Sequence, residues 1–185
     1  MTKRKTNSTR QERSDKRIKL QPAITPESHE LLMHLSNTCN KSKTVLGAIV
    51  IEKALCSNDL LRKVYLEALN LTKQKASPQG KWRITPRIRK DYFQVFGEFY
   101  QECKYRHLEK QTDMNLELMM CHVAALLIEK ALVTEEVVLG VQDYCGVTPY
   151  NRVTIVKDYH TNEVQYSRVS ILNEKGEFEF NIHFR

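Results

Sequence analysis

Two short runs place polar side chains at every second position. In RIKLQPAI (17–24), Lys19, Gln21 and Ala23 alternate with Ile18, Leu20, Pro22 and Ile24. In WRITPRI (82–88), Arg83, Thr85 and Arg87 alternate with Trp82, Ile84, Pro86 and Ile88. A period of two describes a strand that buries one face and presents the other. The presented groups are hydrogen-bond donors, cations and two methyl-bearing side chains. That set suits recognition rather than bond making.

Residue patterns for catalysis or cofactor binding are weaker. The chain has no P-loop, no G-x-G-x-x-G and no G-x-S-x-G. Cys103 and His107 have the spacing C-x-x-x-H, and Cys121 and His122 are adjacent, but no second pair completes a four-ligand zinc set. Tyr144, Tyr150, Tyr159 and Tyr166 invite comparison with a nucleophile for DNA strand transfer. No histidine cluster or paired carboxylates at metal spacing stand beside them, and strand tyrosines usually pack. The expectation is a protein that is not an enzyme and carries no metal or cofactor.

Charge is concentrated. Of a net +7 over 185 residues, the first twenty hold eight basic residues against Glu12 and Asp15. The rest hold 21 basic against 20 acidic residues. A basic arm thus leads a near-neutral body, and such an arm meets polyanions, phosphates most commonly. No apolar run approaches the roughly 20 residues of a membrane span, and no apolar h-region of a secretory signal is visible. Five widely spaced cysteines without C-x-x-C fit free thiols in a reducing compartment.

The elements that position the two runs follow from periodicity. Residues 1–16 carry almost no apolar side chains and are expected to be a disordered arm. After 17–24, Thr25 is a natural N-cap with Pro26 at the first helical position and Glu27 in the first turn. That helix reaches about Cys39, with Leu31, Leu32 and Leu35 as its apolar stripe. TVLGAIVIEKAL (44–55) is apolar around much of its circumference and belongs in a core. SND (57–59) caps a third helix bearing Leu60, Leu61, Val64, Leu66 and Leu69. Residues 73–80 read as a polar linker. A second unit spans 81–147: the run 82–88, a helix with Phe93, Phe96, Phe99 and Tyr100, and a helix N-capped at Thr112. From 148 to 185, RVTIVKDY, NEVQYSRVSIL and EFEFNIHF read as a three-stranded antiparallel meander.

The two units repeat. QPAI (21–24) lies over TPRI (85–88), and TVLGAIVIEKAL (44–55) lies over CHVAALLIEKAL (121–132) with IEKAL identical. CSNDLLRKV (56–64) matches VTEEVVLGV (133–141) as apolar, capping hydroxyl, two polar, two apolar. The chain reads as two copies of strand–helix–helix–helix, 17–72 and 81–147.

This order of elements resembles the ribbon–helix–helix DNA-binding family over about 17–55, and more degenerately over 81–132. In that family two copies pair their strands into an antiparallel ribbon that enters the major groove. Here both copies lie in one chain, similar to the tandem accessory DNA-binding proteins of conjugative and T-DNA transfer machinery. The resemblance implies a mainly α pseudo-dimer with a ribbon formed between 17–24 and 82–88. Ile18, Leu20, Ile24, Trp82, Ile84 and Ile88 would be buried. Lys19, Gln21, Ala23, Arg83, Thr85 and Arg87 would face base edges. The start of the second helix, Lys41, Ser42, Lys43 and Thr44, would grip a phosphate, and Asn40 stands where a glycine is frequent. At the corresponding point of the second copy, QTDMN places Asp113, which would repel a phosphate; Lys104, Arg106, Lys110 or the arm would offset that. Lys3, Arg4, Lys5, Arg10, Arg13, Lys16 and Arg17 would add sequence-independent contacts. The implied partner is double-stranded DNA at an asymmetric site, as a repressor, partition or transfer factor. The implied setting is cytoplasmic, or nuclear in a eukaryote.

Two other readings stand beside this one. A protein-interaction scaffold would use EFEFNIHFR (177–185) to extend a partner's sheet or join a second copy, with the arm binding nucleic acid non-specifically. A histone-like helical pair would need a long central helix, which QGKWRITPRI (79–88) interrupts.

Overall fold

The structure is a computed structural model that describes residues 17–110, 117–157 and 164–168. It is mainly helical, with short antiparallel strand pairs. The strands β1 (Ile18–Lys19) and β2 (Ala23–Ile24) precede the helices α1 (Pro26–Thr38), α2 (Lys43–Ala54), α3 (Asn58–Leu69) and the short α4 (Lys73–Ala76). Then come β3 (Trp82–Arg83), β4 (Arg87–Ile88), α5 (Lys90–Lys110), α6 (Met120–Ala131) and α7 (Glu135–Tyr144). A 3-10 turn (Pro149–Asn151) leads to β5 (Val153–Lys157) and β6 (Val164–Arg168).

β1 pairs with β4 and β2 with β3, with Ile18 opposite Ile88, Lys19 opposite Arg87, Ala23 opposite Arg83 and Ile24 opposite Trp82. Every pair of positions adds to 106, so both pairings share one register and form one ribbon. The ribbon is interrupted by proline chemistry. Leu20 N donates to Pro86 O at 3.0 Å and Ile84 N donates to Pro22 O at 3.1 Å. The two prolines have no N–H to return the bond. The register sets Gln21 opposite Thr85, and these two are also equivalent in the sequence repeat, whose offset is 64. A local two-fold therefore passes between them.

The helices obey the same relation. Ile24 and Ile88 are fully buried, and β2 packs on α6 while β4 packs on α2. α3 packs on α6 and α7 on α2, with α2 and α6 in contact at the centre. Each unit thus completes its core with elements of the other. Small residues permit the close approach of ribbon and helix: a Cβ built on Gly47 would stand 3.3 Å from Ile84 Cδ1 and 3.6 Å from Pro86 Cβ.

Several boundaries depart from the sequence expectation. α6 begins at Met120, not after Thr112, which lies outside the described residues together with Asp113. The stretch 73–80 includes a helical turn, α4. Ser57 sits at the N-cap of α3 but makes no side-chain capping bond. At the C-terminal end β5 and β6 pair antiparallel; the expected third strand, 177–184, lies outside the described residues. Gln142 fastens this hairpin to α7, its Oε1 accepting from Val153 N at 2.8 Å and its Nε2 donating to Val153 O at 2.9 Å. Tyr166 donates to Leu132 O at 2.6 Å and its ring meets His34 of α1 edge-on at 6.5 Å, so the hairpin touches both units.

Candidate nucleic-acid interface

The ribbon's outer face is a two-by-three array: Lys19 and Arg87, Gln21 and Thr85, Ala23 and Arg83. Lys19, Gln21, Arg83 and Arg87 are exposed, and Ala23 and Thr85 are half-buried between them. Directly opposite residues of an antiparallel pair project to the same side, so six side chains share one surface about 13 Å long at the rise of a strand. Among the described residues, no carboxylate pairs with Lys19, Arg83 or Arg87. Four strong donors therefore point at solvent from a rigid, core-backed platform.

On the inner face Leu20, Pro22, Ile24, Ile84, Pro86 and Ile88 are buried and Ile18 is half-buried. Trp82 is the exception. The sequence pattern puts it in the core, yet it is 55% exposed and lies on His29, ring centroids 4.6 Å apart and nearly parallel. Ile18 and Trp82 are equivalent in the repeat, and each begins its strand. The two strand starts overhang the helices, whereas the strand ends, Ile24 and Ile88, sit over them. The alternation reads which side a residue faces but not where the core beneath it stops.

What holds the platform was not anticipated from the sequence. Glu52 accepts from Arg89 N at 3.0 Å and from Arg89 Nε at 3.1 Å. Glu129 accepts from Thr25 N at 2.9 Å. These are the two glutamates of the repeated IEKAL, and Thr25 and Arg89 are equivalent positions at the two strand-to-helix junctions. Each unit's central helix therefore fixes the end of the other unit's strand. Burial pushes the Glu129 carboxyl above its ordinary range, with the Thr25 N–H and the Lys81 charge pulling back. The signal was present: a glutamate recurring inside an otherwise apolar helix needs a partner.

Beside the ribbon lies the start of α2. Ser42 is its N-cap, the Oγ accepting from Val45 N at 3.4 Å, and Leu46 N is bonded to Ser42 O. The N–H groups of Lys43 and Thr44 have no acceptor among the described residues, as expected for a first turn. Asn40 adopts φ of 49°, the left-handed conformation that ends α1. Lys41 and Ser42 are exposed and Thr44 is half-buried. Lys43 Nζ lies 3.2 Å from His29 Nε2. Burial, then the Lys43 charge, lowers the His29 pKa, so the neutral ring accepts from the ammonium. The chain His29–Lys43 connects the helix start to Trp82 at the ribbon's end.

The second unit has a different counterpart. The IEKAL offset of 77 sets Met119, Met120 and Cys121, not QTDMN, over Ser42, Lys43 and Thr44. This start has no hydroxyl cap and no cation; Met119 N donates to His122 Nδ1 at 3.2 Å. The cations expected to compensate are engaged locally: Lys104 with Glu117 at 3.3 Å, Arg106 with Glu109 at 2.9 Å, and Lys110 with Asn70 at 2.6 Å. Of the basic arm, Lys3, Arg4, Lys5, Arg10, Arg13 and Lys16 lie outside the described residues, and Arg17 is exposed at the ribbon's end.

Cys103 and His107 both face the core on α5, where His107 Nδ1 is 3.0 Å from Ala68 O. Among the described residues, no three metal-ligating side chains cluster, and no helix is long and apolar enough to cross a membrane. No protein-family model, curated protein or solved structure matches this chain.

Proposed function

We propose that the chain is a sequence-specific double-stranded DNA-binding protein of ribbon–helix–helix type, with both copies of the motif in one polypeptide. The observation that carries this reading is the outer face of the ribbon: six side chains in one register, four of them exposed donors, backed by an inner face that is buried except at the two strand starts, Ile18 and Trp82. B-DNA's major groove is about 12 Å wide and admits a two-stranded ribbon, whose strands lie about 4.8 Å apart. Arg83, Arg87 and Lys19 suit guanine O6 and N7, Gln21 suits adenine N6 and N7, and the methyls of Ala23 and Thr85 suit thymine. The N–H groups at the start of α2, with Lys41 and Lys43, suit one backbone phosphate. The second helix start, Met119–Cys121, has first-turn N–H groups but neither a hydroxyl cap nor a lysine of its own. Grip and readout both differ between the halves, which supports an asymmetric site. The basic arm supplies sequence-independent affinity. Such a protein acts as a repressor, partition factor or transfer accessory factor.

The test compares two changes on the full chain. Arg83→Ala and Arg87→Ala should each cost about 1–3 kcal/mol on the preferred duplex, with little change on bulk DNA. Removal of residues 1–16 should weaken both equally and flatten the salt dependence. No discrimination between duplexes in the full chain, with all binding lost on removal of residues 1–16, would instead leave the chain as a scaffold with a non-specific arm.

A further inference from the structure

Between one edge of the ribbon and α6 lies a cavity of about 580 Å³, within the roughly 300–1,000 Å³ typical of small-molecule sites. It occupies the side of the molecule where the second unit has no phosphate-gripping helix start. Its buried lining is apolar, with Leu71, Ala125 and Leu126 each under a tenth exposed. Its solvent-facing lining carries Lys75, Lys81 and Arg83.

The charges do not cancel. Two carboxylates reach the cavity, and both are engaged: Glu129 holds Thr25 N at 2.9 Å and Glu67 holds Lys130 Nζ at 2.6 Å. Among the described residues no carboxylate lies within salt-bridge distance of Lys75, Lys81 or Arg83. Lys81 Nζ donates instead to the backbone oxygen of Lys75 at 2.5 Å. An apolar interior with three cations at its mouth, of which only Lys81 feels the Glu129 carboxyl, selects a molecule with an apolar body and an acidic head group.

We propose that this cavity binds a small amphiphilic anion, a ring system or short chain bearing one acidic group, and that its occupant opposes DNA binding. The second half rests on the DNA reading above. Gln21, Ala23 and Arg83 belong both to the cavity lining and to the ribbon's outer face. A head group held by Arg83 withdraws that guanidinium from the ribbon. By linkage, DNA must weaken the ligand by the same factor.

The test uses 8-anilinonaphthalene-1-sulfonate and its uncharged counterpart, N-phenyl-1-naphthylamine, titrated by fluorescence into the full chain. One sulfonate should bind per chain, about tenfold tighter than the uncharged amine. Lys81→Glu should weaken the sulfonate by about tenfold and leave the amine within about twofold. Ala125→Trp, filling the interior, should remove both. Lys63→Glu, on the exposed side of α3, should change neither. Equal affinity for the two probes, or sulfonate binding indifferent to Lys81→Glu, overturns the site, and this comparison stands even where Ala125→Trp does not fold. Saturating sulfonate should then weaken duplex binding at least about fivefold. Unchanged duplex affinity overturns the coupling. A chain that binds no duplex at all overturns the DNA reading, while the probe titration still decides the cavity.

Discussion

At the scale of single residues, position on the core edge sets chemistry. Trp82 is the chain's one tryptophan, and it reports on His29, against which it stacks. Burial and Lys43 lower the His29 pKa below its ordinary value of 6.5. The folded state therefore binds the His29 proton less tightly than the unfolded chain does. Stability contributed by the neutral ring is present above pH 6.5 and declines as pH falls below it. Emission from Trp82 should titrate with a midpoint below 6.5, and His29→Gln should remove that titration; an unchanged profile in the variant would place the titrating group elsewhere. Thiol reactivity should be equally uneven. Burial pushes Cys103 up to about 12, and burial together with the adjacent Cys145 pushes Cys39 up to about 12. Cys56 is exposed. At pH 8 a disulfide reagent should modify Cys56 first and spare Cys39 and Cys103 until denaturant is added. Early loss of the Cys103 thiol in native protein would contradict the packing of α5.

Among elements, the joint between strand and helix is the critical one. Glu52→Ala and Glu129→Ala each strand a backbone N–H that had an acceptor, at a cost of about 1–3 kcal/mol. Glu→Gln keeps an acceptor and should cost less. For Glu129 a sign distinguishes charge from hydrogen bonding. Its folded pKa is raised, so the folded state binds that proton more tightly and the ionised carboxylate opposes folding. Wild type should gain stability as pH falls through the raised pKa, and Glu129→Gln should lack that gain. Denaturant midpoints of the two proteins between pH 4 and 7 measure this; parallel curves would mean that Glu129 is not strained by burial. The elements also show what a sequence can disclose. The ribbon's two strands were legible because proline, isoleucine and alternation recur in both. The start of α6 was not, because Thr112 has a cap's chemistry while Met119, at the N-cap, makes no side-chain bond and gives its backbone N–H to the His122 ring. The glutamate braces were visible as a repeat but not as a function, since their partners are backbone groups 37 and 104 residues away.

For the whole molecule, exchange between the units determines how it behaves. Each strand's partner, each junction's glutamate and each third helix's packing partner lie in the other unit. Residues 17–76 or 77–157 alone should not fold as monomers, and mixing them should restore helical signal and one cooperative unfolding transition. A half that is folded and monomeric by circular dichroism and sedimentation would contradict the intertwined core. The two halves also differ. Lys-Gln-Ala faces Arg-Thr-Arg across the ribbon, a hydroxyl-capped helix start answers a methionine one, and the cavity is lined by residues of one edge. A homodimer could hold none of these differences.

The most direct measurement of the central claim is selection of the full-length protein against a pool of random duplexes at moderate salt, with the bound molecules sequenced. The ribbon account predicts one asymmetric motif, no wider than the ribbon and its single phosphate grip can span, that loses definition at a single position in Arg83→Ala. Recovery of a palindrome, or of no motif with affinity collapsing steeply as salt rises, would contradict it.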